Sequence, residues 1–421
     1  MVGSNINLNS KMLTKHFLEN QKGLLSPVLI DTEIIVYLLT TISLIFMQSN
    51  RRLFFIFLAS LLYFIMVSAN QAHAQEKGSK WFVDNPKPLV INWDTAYYSS
   101  YMEQMTIRWY SSVKYTGFRI LNMEEKQNLL YLSNVNYIIG AGISYSWFTL
   151  NIGINYYPII NNDEDIYGPT TYLDLQSHIY LRKMNIDLYA QYYEGYYLAN
   201  SGNVINDWPQ GDTFQIRPDI YTLTLGFNYQ YVFNWKKFSY KAIYNQNEWQ
   251  KKSAGSWVLG ANAFYYTNRG DSTLIPANLK NTELFNNLDY SKQNVLNLGI
   301  SGGYYYTLVL FKHYFISAGV AGGPSIGNSW LNTENIGKVS FSNVALNLNV
   351  IARASIGYNS EKFFAGFSFL QQMFFNQIPS ENIWTNFHTG NARIYFVYRF
   401  PIKKPLKIAN PRYWKLFNKS N

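Results

Sequence analysis

The ionisable residues Arg108, Lys114, Asp174, His178, Asp187, Arg353, Arg393 and Arg399 sit at the polar positions of segments that alternate between apolar and polar side chains. Successive strand side chains point to opposite faces, so these residues share one face of a sheet. If the sheet encloses a lumen, two chemistries follow. A ring of charges with a positive bias favours anionic solutes. The same charges can instead pair across the space and fill it, as small barrels fill themselves with side chains. The second reading weighs more.

Other candidates carry less. His178 is the only histidine well inside an alternating segment. A base needs a nucleophile in reach, so a packed, hydrogen-bonding histidine is the plainer reading. Gly299-Ile300-Ser301-Gly302-Gly303 matches G-x-S-x-G. That motif works on a strand-to-helix elbow, and here it lies inside a strand with Ser301 facing inward. Lys251-Lys252-Ser253 lacks the glycine spacing of a phosphate loop. With no cysteine in the chain, thiolate metal sites, cysteine nucleophiles and disulfides are excluded. No catalytic residue, metal site or cofactor motif is assigned.

The elements that must position these residues are strands. Phe148, Leu150, Ile152, Ile154 and Tyr156 alternate with Thr149, Asn151, Gly153 and Asn155; Tyr221 to Tyr231 and Leu346 to Ile356 repeat the pattern. Such runs exceed the usual five or six residues of a soluble strand. Aromatics at strand ends, such as Tyr192-Tyr193 and Tyr229-Tyr231, match interfacial girdles. Charged residues make up 14% of the chain against 18% aromatics, and a soluble surface usually holds more charge. Backbone groups in hydrocarbon need internal partners, so a sheet that spans lipid must close. The expectation is an all-β, transmembrane, antiparallel up-and-down barrel of about 12 strands. They run at 106–120, 131–145, 147–158, 170–182, 184–196, 219–233, 255–267, 293–309, 313–324, 342–357, 362–374 and 388–400.

Loop lengths orient it. Tight turns fall near Ser146-Trp147, Arg182-Lys183, Phe311-Lys312 and Asn359-Glu361, and long connections at 121–130, 159–169, 197–218, 268–292, 325–341 and 375–387. Short turns belong to the periplasm and long loops to the outside. This alternation holds if 234–254 is one periplasmic or inward-folded connection. The block Lys236–Ser256 is rich in lysine and aromatics, and is either a plug, a docking segment for a periplasmic partner, or a misread strand pair.

The ends complete the organisation. Arg51-Arg52, the apolar run Leu53–Val67 and Ala72-His73-Ala74 form an export signal with cleavage expected after Ala74. Met47 is the expected true start, which makes 1–46 an over-extended N-terminus and 47–74 the signal peptide; the rival reading is a second hydrophobic segment, Ile34–Phe46, that makes a helical hairpin with 53–67, and Asp31 and Glu33 at its edge count against it. Residues 75–105 are then a periplasmic segment, 106–400 the barrel and 401–421 a basic periplasmic tail. The strand Ala392–Phe400 alternates and ends on an aromatic, like the terminal signal read by barrel-assembly machinery. The chain carries a formal charge of +10, but a nucleic-acid binder gathers its cations on one face. Here the clearest cluster is the tail, Lys403 to Lys419. The expected partners are outer-membrane lipid and lipopolysaccharide, the assembly machinery and a periplasmic contact for the tail; nucleic acid is not among them.

One stretch is more specific. Gly211-Asp212-Thr213-Phe214-Gln215-Ile216-Arg217-Pro218-Asp219, Tyr231-Val232-Phe233-Asn234, Phe238-Ser239-Tyr240-Lys241-Ala242 and Asn245–Ser256 resemble an uncharacterised outer-membrane barrel family of the Bacteroidota, one of the families with a domain of unknown function. The run Gln250-Lys251-Lys252-Ser253-Ala254-Gly255-Ser256 is its most specific part, and the likeness covers most of the mature chain. It implies an envelope barrel in the bacterial outer membrane and brings no activity. Three functions stay open: a small-solute pore with a mildly basic lumen, a closed structural or interaction barrel working through its external loops or tail, and, ranked last, an outer-membrane lipid hydrolase. The chain is expected not to be an enzyme.

Overall fold

In the computed structural model the chain divides into two compact units, Met1–Lys80 and Trp81–Asn421. The structure describes residues 83, 91–122, 127–134, 136–146, 148–155, 163–209, 213–280, 289–333, 337–378, 383–407, 410 and 413–414. The expected N-terminal extension, signal peptide and cleavage site lie outside the described residues.

The alternating segments form a 13-stranded antiparallel sheet. Its members are β2 (Gln104–Asn122), β3 (Gln127–Ser133), β4 (Asn136–Tyr145), β5 (Phe148–Asn155), β6 (Thr171–Tyr180), β7 (Met184–Leu198), β8 (Gln215–Val232), β10 (Ala254–Arg269), β11 (Lys292–Leu310), β12 (Tyr314–Thr333), β13 (Gly337–Asn359), β14 (Phe363–Ile378) and β15 (Ile383–Pro401). A separate pair joins β1 (Tyr98–Ser100) to β9 (Glu248–Gln250).

Closure comes from β15 pairing along the whole of β2, from Ile383 opposite Asn122 to Pro401 opposite Gln104. The closed ring has 10 strands, and β4, β5 and β6 are 3 extra ones. This corrects the expected closure by twelve, although every expected segment falls on a strand. The reason is a branch in the wall. β2 pairs with β3 through 117–122 but with β4 through 106–114. β7 pairs with β3 through 196–198 but with β6 through 185–194. At the end where β2 finishes and β15 begins, β3 therefore bridges β2 and β7 directly. At the end where β2 begins and β15 finishes, β4, β5 and β6 stand between them. We call these the distal and proximal ends.

Asn134, Thr170 and Gly195 pin the branch. The Asn134 amide donates to Thr170 Oγ1 at 2.9 Å, its Nδ2 donates to the Gly168 carbonyl at 3.0 Å, and Thr170 Oγ1 donates to the Gly195 carbonyl at 2.8 Å. Gly195 has φ of 94°, and a Cβ there would lie 2.1 Å from the Pro169 carbonyl oxygen. Glycine suits this position because it takes positive φ without strain. Among the described residues no ladder joins β5 to β6; the Tyr172 hydroxyl reaches Asn155 Oδ1 across the gap.

Three other expectations change. The connections expected at 121–130, 325–341 and 375–387 are mostly strand, because β2, β3 and β12 to β15 extend past the apolar alternation that marked their ends. The connection at 159–169, expected as an external loop, joins β5 and β6 at the branch, and a short helix α1 (Glu164–Tyr167) lies within it. Tyr193, expected at the outer girdle beside Tyr192, is buried and points inward, as strand parity requires of adjacent residues.

The sheet's two faces differ as the alternation implies. Trp109, Ile143, Leu175, Leu225, Trp257, Leu298, Ile316, Phe367 and Ile394 are exposed on the outside. Inside, Arg108, Asn262, Ser301, Asn349, Arg353 and Arg399 are buried. An apolar surface this extensive needs a non-aqueous covering. Among the described residues no helix is long and apolar enough to cross a membrane, which does not bear on crossing by strands.

Candidate functional site: a lumen closed at both ends

The tight turn at Arg182-Lys183 sets the register of β6 and β7, placing His178 opposite Asp187. Their side chains meet inside the barrel, with His178 Nδ1 2.7 Å from Asp187 Oδ1. The other carboxylate oxygen accepts from Arg353 Nη2 at 2.6 Å and from Asn228 Nδ2 at 3.0 Å. Arg353 also donates to the Tyr180 hydroxyl at 2.9 Å. Arg353 reaches from β13 across the lumen to β6 and β7, so the ion pair ties opposite walls together. Asp187 is fully buried, and a buried charge persists only when it is paired and hydrogen-bonded. His178 is thus one arm of a satisfied network. The described contacts place no serine, cysteine or threonine hydroxyl against it.

Beside this network, Lys114 Nζ lies 3.2 Å from Asp174. Asp174 also accepts from Gln191 Nε2 at 3.2 Å and from the Tyr193 hydroxyl at 2.7 Å. Arg393 stacks its guanidinium 4.9 Å from the Tyr110 ring centre. Tyr110 in turn packs against Gly140 and Gly153: a Cβ at Gly140 would come within 2.3 Å of its ring. Glycine at both positions is what lets the phenol rest on the inner wall.

The proximal end is filled from residues 234–253. This segment is not a strand pair; it folds into the barrel. A π-helical turn, Lys241–Asn245, leads to β9, which is held by β1 from the preceding segment. Wall arginines grip its backbone. Arg108 Nη2 donates to the Asn245 carbonyl at 2.9 Å, and Arg399 Nε donates to the Gln246 carbonyl at 2.6 Å. Asn359 Nδ2 donates to the carbonyls of Ala242 and Glu248, both at 3.1 Å. Arg108 and Arg399, expected to line an open or self-paired lumen, instead bridge this segment to the wall: Arg108 also donates to Asn151 and Ser144, and Arg399 to the Ser360 carbonyl and Asn359 Oδ1. Its base is fixed by Asn234, whose amide donates to Ser256 Oγ at 2.8 Å and whose Nδ2 donates to the Gly255 carbonyl at 2.7 Å. Burial pushes the Lys241 ammonium below its ordinary pKa, against the opposing pull of Glu248. Burial, reinforced by Glu248, pushes the Tyr98 phenol well above its own.

The distal end is filled by packing. Phe118, Tyr131, Tyr196, Phe264, Tyr266, Phe374 and Phe387 form one buried cluster with Val204, Ile205, Leu274 and Leu279. The last four come from connections that fold back into the barrel mouth, where Ile205 and Leu279 pair as a β-bridge. Arg217 secures this closure: its Nη2 lies 2.8 Å from Asp219 Oδ2 and its Nη1 donates to the Thr273 carbonyl at 3.0 Å. Between the two fillings, Asn262, Ser301, Ser325 and Gln372 are buried with side-chain atoms that have no protein partner. Ser301 stands mid-strand on this polar band, not on an elbow.

No group of metal-binding side chains occurs among the described residues. Sequence reasoning found the charged residues of the network and their facing. It missed Tyr180 and Asn228 as partners, although both follow from strand parity once the turn is placed. It also missed the carbonyl targets of Arg108 and Arg399, for which an irregular backbone leaves no sequence signal.

Residues 92–400 match the family described as a domain of unknown function, DUF4421. The chain belongs to this DUF4421 family. Within the DUF4421 region lie the closed ring except for its last residue, Pro401, the inward-folded segment and every lumen residue named above. No curated protein gives a significant match. Among solved structures the chain is similar to the outer membrane protease OmpT from Escherichia coli, at 9% identity over 72% of this chain and 98% of that one, with a TM-score of 0.32. It is similar to the translocator domain of the autotransporter NalP from Neisseria meningitidis at 8% identity, over 71% of this chain and 89% of that one, TM-score 0.26. The toluene transporter TbuX from Ralstonia pickettii gives 9% identity over 71% and 90%, TM-score 0.25. Likeness of this order decides neither activity nor cargo.

Proposed function

We propose that this DUF4421 protein is a non-enzymatic outer-membrane barrel whose lumen is closed at rest, and that it is not a standing pore. The observation that carries this is the grip of Arg108, Arg399 and Asn359 on the carbonyls of 242–248 at one end, together with the aromatic cluster at the other. The membrane reading is supported by the exposed apolar outer band and by the ten-strand ring closed through β15 and β2, because lipid favours a sheet whose backbone groups are paired. In this reading the proximal end faces the periplasm. The wall there has twelve segments, with β3 and β4 counted as one strand and β5 and β6 as neighbours without a ladder. The long distal strands face outward, and the expected partners of the tail and of strand 392–400 belong to the same proposal. A catalytic role has no geometry behind it: His178 is committed to Asp187, and Ser301 lies on the inward face of a strand.

Single-channel recording on the refolded mature chain in a planar bilayer tests this. A folded, heat-modifiable protein is expected to give no steady openings. Steady open steps with anion preference would contradict the closed lumen and restore the pore.

A further inference from the structure

We propose that the gap between β5 and β6 is a side entrance to an anion subsite built by Lys114 and Arg393, which takes the acidic headgroup of a membrane amphiphile. The proposal rests on the membrane reading above. The gap lies in the proximal half of the wall, where solvent reaches both faces of the sheet. On β5 Asn151, Ile152, Gly153 and Ile154 are all exposed, so neither face is covered. On β6 the inward-facing Tyr172, Gln176 and His178 are half-exposed, while the Asp174 side chain between them is buried. On β10, by contrast, the inward Ser256 and Asn262 are buried.

Two features select the ligand. The first is charge. Lys114 and Arg393 sit on neighbouring strands, with Lys114 opposite Asn391 and Arg393 two residues further along the same face. Asp174 is the carboxylate beside Lys114, and it is already shared with Gln191 and Tyr193. Arg393 has no carboxylate among the described ion pairs, and its buried Nε has no hydrogen-bond partner. Its guanidinium lies between two rings, 4.9 Å from the Tyr110 centre and 5.6 Å from that of Tyr395, and these contacts restrict its position. A fixed guanidinium fork matches a phosphate or carboxylate, and a lysine adds a point charge.

The second feature is polarity across the gap. Ile139, Ile152 and Ile154 on one side and Leu173 and Leu175 on the other are exposed on the outer face. Acyl chains would stay against these residues while the headgroup enters between them. An unpaired strand edge is costly in hydrocarbon. A headgroup and its water would supply the hydrogen bonds that β5 and β6 do not give each other.

The test titrates the full chain, in a zwitterionic detergent, with short-chain phosphatidylglycerol, short-chain phosphatidylcholine and inorganic phosphate, read by native mass spectrometry. Saturable binding of phosphatidylglycerol at one site is expected, with phosphatidylcholine and free phosphate much weaker. Arg393→Gln should weaken phosphatidylglycerol binding about tenfold, the loss of one charge-assisted hydrogen bond, and Arg393→Lys should weaken it less. Should Arg393→Gln fail to fold, Asn155→Cys with Tyr172→Cys, bridged by a bismaleimide, closes the gap and leaves the cations intact. Bridging should abolish binding in a barrel that remains heat-modifiable. Equal binding of the two lipids, or no effect of either the Arg393 variants or the bridge, would overturn the proposal. Free phosphate binding as tightly as the lipid, with or without the bridge, would overturn the amphiphile and leave a free-anion site. A barrel that inserts into bilayers yet binds none of the three sinks this inference alone, whereas failure to insert sinks the membrane reading.

Discussion

At the distal end Phe118, Tyr266 and Phe387 pack among aliphatic residues of the inturned connections; at the proximal end Arg108 and Arg399 hold the carbonyls of an inturned segment. Both fillings close the lumen, but they respond differently to water. An apolar cluster is held by area removed from solvent, and nothing in water replaces it. A hydrogen bond exchanges with water at a net cost of about 1 kcal/mol. The distal filling is held by packing; the proximal filling packs Phe238, Tyr240, Ala242 and Ile243 against the wall as well, and its hydrogen bonds to Arg108, Arg399 and Asn359 are the part that water can replace. The Arg353–Asp187 pair between them ties wall strands together, and Arg353 also lies 5.6 Å from the Tyr244 ring of the inturned segment.

The sharpest way to break this contrast is at that pair. Arg353→Ala leaves Asp187 buried without its cation and should cost about 3–5 kcal/mol. Unfolding of the heat-modifiable barrel in urea should shift accordingly, and a loss under 1 kcal/mol would remove the pair from the wall. At the distal end Phe387→Ala should cost about 3 kcal/mol, as large-to-small core changes do, while the bilayer recording stays silent. Openings in that variant would mean that the distal cluster is the gate.

Arg399→Gln should cost less, about 2 kcal/mol, the scale of hydrogen bonds to a charged donor. It should raise protease cleavage within 238–250 while the barrel still migrates as folded. Global unfolding would place the segment in the fold and erase the contrast. The smallest effect concerns Lys241. Its pKa when seated lies below the ordinary 10.5 because burial penalises the ammonium. Seating therefore favours the neutral form. The penalty is fully present below the lowered value and fades as pH rises through it toward the ordinary one. Cleavage within 238–250 should slow at alkaline pH relative to Lys241→Met, which has no such proton to lose. Identical pH profiles for the two proteins would remove Lys241 from the seating equilibrium.

Much of the wall was legible because period two is strict and two-residue turns fix register. Arg182-Lys183 alone places His178 against Asp187, so half of the central network could be read from one turn. The branch at Asn134 and Gly195 could not. It comes from β3 and β4 pairing different stretches of β2, and the alternation runs on with little sign of the change. That is why twelve segments did not become a ring of twelve. The segment 234–253 was legible only as an exception to the loop alternation. Its fold depends on arginines more than 130 residues away in sequence, since Arg108 and Asn245 are separated by 137 positions. Likewise Val204, Ile205, Leu274 and Leu279 sit inside stretches whose length marked them as loops. Their burial follows from the space left at the mouth of the finished barrel.

The most direct test compares two proteins in the same bilayer: the mature chain, and the same chain with 238–250 replaced by a Gly-Ser linker of equal length. The account predicts silence from the first and stepwise openings from the second, with both heat-modifiable. A folded linker variant that stays silent would contradict the claim that the inturned segment is what closes the lumen.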